Sequence, residues 1–83
     1  MNHVVVYIHP FTLDQEVGAY VNGECIQSVK CKIDEIDKTC IALCEKYNIE
    51  QVDIAGSQAY AARVRDKIVE NKFDKFNIKV VIY

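Results

Sequence analysis

Eighty-three residues, 51% hydrophobic and 27% charged with three glycines and one proline, exclude a disordered chain and leave room for one small core, since a domain of this length buries only about 60% of its unfolded surface. A net charge of −2 excludes the broad basic surface that sequence-independent nucleic-acid binding requires. The apolar run Val4–Ile8 is far shorter than the roughly 20 residues of a membrane span, and Asn2 and His3 do not form a basic signal-peptide start, so a cytoplasmic protein is expected.

The segment His3 to His9 predicts a strand with Val4, Val6 and Ile8 on one face and Val5 and Tyr7 on the other. Apolar residues on both faces place it at the centre of a sheet. Pro10 lacks the N–H of a ladder, so pairing ends there and Phe11 to Leu13 form a short connection. Asn22-Gly23 stands between two strand-like runs, Glu16 to Val21 and Glu24 to Cys31, as in a two-residue type I′ hairpin. A helix follows over about Asp34 to Tyr47, with Asp34 at the N-cap and Glu35 and Asp37 in the first turn, where the helix dipole favours acids. Gln51 to Ala55 reads as a short strand, and Gly56-Ser57 separates it from a second helix over Gln58 to Asn71. Ala61, Val64 and Ile68 form that helix's inner stripe, with Arg63, Arg65, Asp66 and Glu70 outside. Ile78, Val80 and Ile82 alternate with Lys79, Val81 and Tyr83 in a last strand over residues 77–83.

The four cysteines are read from their positions. Cys40 and Cys44 fall within one helical stripe with Ile33, Ile36, Leu43 and Tyr47, which predicts packed thiols acting as small hydrophobes. Cys25 and Cys31, six residues apart, are expected on one face of their strand together with Val29. With no paired-cysteine knuckle and both histidines near the start of the chain, neither a metal nor another cofactor is expected. Lys72, Lys75 and Lys79 beside Phe73 and Phe76 make a small basic cluster, read as solvated surface.

The order is strand, strand, strand, helix, strand, helix, strand. A meander of three strands followed by two right-handed crossovers predicts a two-layer α/β domain spanning residues 1–83, a five-stranded mixed sheet of order 3-2-1-4-5. Both helices then lie on one face and leave the other uncovered. Val5, Tyr7, Val81 and Tyr83 are the residues expected to line that uncovered face.

This succession resembles the core of the ribonuclease H-like fold, to which Holliday-junction resolvases belong. The stretch "YIHPFTLDQEVGAYVNGE" is similar to the resolvase pattern of a strand ending in Asp, then Pro-Gly, then Gly-Tyr. The resemblance implies a metal-binding acid at the strand end, but His9 occupies that position and Phe11 follows the proline. Hard divalent cations need carboxylates, so the site would be degenerate and nuclease activity is not expected. Asp53 is the only acid in the fourth strand; Asp14 and Glu16 lie near the hairpin.

Parallel pairing of the first and fourth strands would bring His9 beside Gly56, Ser57 and Gln58, at the edge where open α/β sheets bind ligands. Free N–H groups at a helix start suit a nucleotide or another anion, and these four residues are the candidate ligand site. "AGSQA" lacks the second glycine of a nucleophile elbow, and no Cys–His pair is evident. The principal expectation is a non-catalytic interaction domain acting through self-association, as a dimer or larger assembly, or through a protein partner. Anion capture and a degenerate nuclease-like role are the alternatives.

Overall fold

The computed structural model describes residues 2–71 and 77–83, and in it the strand read at His3 is the centre of the sheet. Strands β1 (His3–Ile8), β2 (Asp14–Val21) and β3 (Glu24–Lys32) precede helix α1 (Ile36–Tyr47), strand β4 (Gln51–Gly56), helix α2 (Gln58–Asn71) and strand β5 (Lys79–Ile82). The sheet order is β3-β2-β1-β4-β5, with β1, β2 and β3 antiparallel and β1, β4 and β5 parallel. The hairpin turns at Asn22 and Gly23 with φ of 53° and 81°, the left-handed pair of a type I′ turn.

Both helices cover the face carrying Val4, Val6, Ile8, Val17, Val52 and Ile54. Against these pack Ile36, Cys40 and Cys44 of α1 and Ala61, Val64 and Ile68 of α2. Val5 and Tyr7 therefore point to the uncovered side, because successive strand residues alternate between faces. Lys72, Phe73, Lys75 and Phe76 lie outside the described residues; Lys79 is exposed on β5.

Two local expectations are corrected. Asp34 does not cap α1: Ile33–Glu35 form a 3₁₀ turn ahead of the helix, and the Glu35 carboxylate accepts the Lys32 backbone N–H at 3.2 Å. Cys25 and Cys31 do not share a face. Ala19 pairs with Gln27 but Tyr20 with Cys25, so Ile26 is an extra residue, and such a bulge flips every side chain beyond it. Cys31 stays on the helix side, while Cys25 sits on the uncovered side beside Tyr20.

Burial pushes the Cys40 and Cys44 thiols up, that of Cys44 to about 12, since a low-dielectric interior disfavours the thiolate. Desolvation also raises Cys31, whereas Cys25 is exposed. Reagents that attack thiolates should accordingly modify Cys25 first and Cys31 more slowly, and reach Cys40 and Cys44 only on unfolding; rapid titration of all four in the native protein would contradict this packing. Because unfolded thiols ionise near 9.0 and the folded Cys44 near 12, unfolding releases protons in between. The contribution of the protonated Cys44 to stability is therefore complete below pH 9 and is lost as pH rises toward about 12.

Candidate functional site

The uncovered face divides along the strand direction. Its polar half lies near the start of β1, where His3 Nδ1 is 2.6 Å from Asp53 Oδ2 and Gln51 Nε2 donates to Asp53 Oδ1 at 2.8 Å. The parallel register sets Val5 against Asp53, so the His3 ring, two residues earlier on the same face, reaches across to the carboxylate. Asp53 is only 5% exposed, and a buried carboxylate needs such partners. Tyr20, paired with His3 across β1 and β2, meets the imidazole edge-on with centroids 5.7 Å apart. Among the described residues no serine, threonine or cysteine side chain hydrogen-bonds to His3, so the pair lacks the nucleophile that such a base would activate. Its evident role is to join β1 to β4.

Toward the end of β1 the face is mixed: it carries the rings of Tyr7 and Tyr83, with Glu16 beside Tyr7 accepting the Ser28 hydroxyl at 2.7 Å. Tyr7 is 54% and Tyr83 67% exposed, and Val5 and Val81 are half-buried on either side of Asp53. All four candidate interface residues thus lie on the side without helices. Beside Tyr7 is a trough of about 190 Å³, lined by Val5, Glu16, Gly18, Tyr20, Cys25 and Ser28. A Cβ at Gly18 would lie 3.0 Å from the Tyr20 ring, so the missing side chain forms the trough's floor.

The four residues proposed for ligand capture meet mainly through their backbone. Ile8 pairs with Gly56, and the Ser57 N–H points at the Ile8 carbonyl at 3.5 Å, so His9 and Ser57 are neighbours as the register implied. The imidazole of His9 instead packs on Tyr7, with centroids 4.5 Å apart, while Gln58 is exposed. Gly56 has a φ of +103°, and a Cβ there would lie 2.3 Å from the Ile8 carbonyl oxygen. Packing between β1 and β4 accounts for this glycine. Among the described residues no group of three His, Cys, Asp or Glu is placed to hold a metal ion, and no helix is long and apolar enough to cross a membrane.

Two features escaped the sequence reading. The His3–Asp53 pair joins residues 50 apart, and only the β1–β4 register reveals it. The other is the β1–β2 loop, where the buried Gln15 side chain accepts the His9 N–H at 2.8 Å and donates to the carbonyls of His9 and Thr12 at 2.8 and 2.9 Å. The loop so held presents Phe11 and Leu13 at 98% and 86% exposure. Alternation along β2, with Val17 and Ala19 inward, already placed Gln15 on the core side; the adjoining proline loop was the available signal that it serves as a loop anchor. Comparisons with protein-family models, curated proteins and solved structures found no match.

Proposed function

We infer that this is a non-catalytic interaction domain that self-associates through its uncovered sheet face. The observation carrying the reading is the half-exposed Tyr7 beside the trough over Gly18. A two-fold interface places the same surface on both partners, so it needs a projection and a matching recess on one face. Tyrosine suits the position because its apolar ring gains from burial while its hydroxyl tolerates a wet rim. Tyr83 and Val81 enlarge the apolar area, and Glu16, bonded to Ser28, and the His3–Asp53–Gln51 groups supply a polar margin already hydrogen-bonded.

Burying each large side chain of this kind is worth about 1.5–3 kcal/mol. Light scattering of the wild-type protein is expected to show a dimer or larger closed assembly. Tyr7→Asp should give a smaller species with an unchanged circular dichroism spectrum, because Tyr7 contributes little to the monomer core. A wild-type protein that remains monomeric at high concentration, or a Tyr7→Asp protein that keeps its size, would refute the reading.

A further inference from the structure

On the helix side of the sheet, a cleft of about 90 Å³ opens between the start of α1, with the 3₁₀ turn before it, and the body of α2. Ile33 and Val64 give it apolar walls. Its charged groups are sorted by element. Asp34 and Asp37 line the α1 side, and Arg63 and Lys67, one helical turn apart, line the α2 side. Among the described residues none of these four is in a salt bridge, so the opposite charges face each other across the cleft without meeting. Arg63 lies over the Tyr60 ring, 5.5 Å from its centroid, a cation–π contact that leaves the donors along the guanidinium edge available.

Asp37 is the deepest of the four. It is 4% exposed, and its Oδ2 accepts a hydrogen bond from Asn71 Nδ2 at 3.2 Å. Its Oδ1 accepts none among the described residues. No side-chain oxygen or nitrogen of those residues is both buried and unpartnered, so Oδ1 meets the cleft rather than the core. A carboxylate so far out of water needs further donors, and the cleft is the side from which they come.

We propose that this cleft binds a small zwitterion, of the size of a short aliphatic α-amino acid, with its ammonium group on Asp37 and its carboxylate on Arg63. The charge pattern selects the class. An anion would meet Asp34 and Asp37, a cation would meet Arg63 and Lys67, and only a ligand carrying both charges is matched on both sides. A guanidinium grips a carboxylate through two parallel N–H donors. Lys67 adds a second positive charge on that side, as Asp34 adds a negative one beside Asp37. Volume sets the size: about 90 Å³ is well below the roughly 300–1,000 Å³ of sites for drug-sized ligands. That excludes a nucleotide and leaves a short side chain against Ile33 and Val64.

The probe is L-alanine, titrated into the labelled full-length protein and followed by amide NMR shifts. L-alaninamide, which keeps only the ammonium charge, and N-acetyl-L-alanine, which keeps only the carboxylate, are its comparisons. L-alanine should bind in the millimolar range and shift the amides around Asp37 and Arg63. Each derivative should bind at least about tenfold more weakly, the loss expected from one charge-assisted hydrogen bond. Two substitutions test the assignment of the ligand's ends. Arg63→Gln, at an exposed position where folding should survive, should weaken L-alanine about tenfold and leave L-alaninamide unchanged. Asp37→Asn, checked for folding by circular dichroism, should weaken L-alanine to a similar degree and leave N-acetyl-L-alanine unchanged. A substitution that merely loosened the cleft would weaken all three probes. No binding at tens of millimolar, equal binding of L-alanine and either derivative, or shifts confined to the uncovered face would each overturn the proposal. The cleft lies across the sheet from Tyr7, so Tyr7→Asp should leave L-alanine binding intact and keep this test apart from that of self-association.

Discussion

Gly56→Ala is expected to destabilise the domain by about 3 kcal/mol. One part is conformational: a φ of +103° is open to glycine and costs an L-residue roughly 1–2 kcal/mol. The other part is steric, because the added methyl would sit 2.3 Å from the Ile8 carbonyl oxygen and 2.9 Å from its nitrogen. These are backbone atoms in the central parallel pair, and overpacking at such a site typically costs about 1–3 kcal/mol. For a domain of this size the loss corresponds to a fall in Tm of roughly 12–24 °C, measurable by thermal denaturation followed by circular dichroism. A change below about 1 kcal/mol would show that β1 and β4 separate easily at their C-terminal ends. The result also bears on the Gly56-Ser57 turn as a ligand site: a glycine kept only for ligand approach would tolerate alanine in the ligand-free protein.

Gln15→Met should cost about 2–3 kcal/mol while nearly preserving side-chain volume. The amide of Gln15 is buried and hydrogen-bonds to both backbone groups of His9 and to the Thr12 carbonyl; methionine offers no donor and only a weak acceptor, the thioether sulfur. Leaving a buried donor or acceptor unpaired costs roughly 1–3 kcal/mol, and the exposed loop recovers part of that by turning toward water. Loss of the anchor should therefore appear twice, as lower stability to denaturant and as faster hydrogen exchange from His9 to Leu13. Unchanged loop exchange would mean that Pro10 and the Thr12 turn hold the loop without Gln15. Since the loop carries Phe11 and Leu13, loosening it should also weaken any association that uses them, through the added cost of ordering.

Element types, their order and the two-layer architecture follow from patterns local to the chain. The alternation of Val4, Val6 and Ile8 with Val5 and Tyr7 specified a central strand, Asn22-Gly23 specified the hairpin, and the stripes through Cys40 and Cys44 and through Ala61, Val64 and Ile68 specified the helices' inner faces. These patterns are local, and the connections between them admit few handed topologies. The remaining features depend on register, which is set between residues distant in the chain. The β1–β4 register brings His3 to Asp53 and presses Gly56 against Ile8. The bulge at Ile26 separates Cys25 from Cys31, although the plain period of two had put them together. A 3₁₀ turn displaces Asp34 from the helix cap because Glu35 finds the free Lys32 N–H.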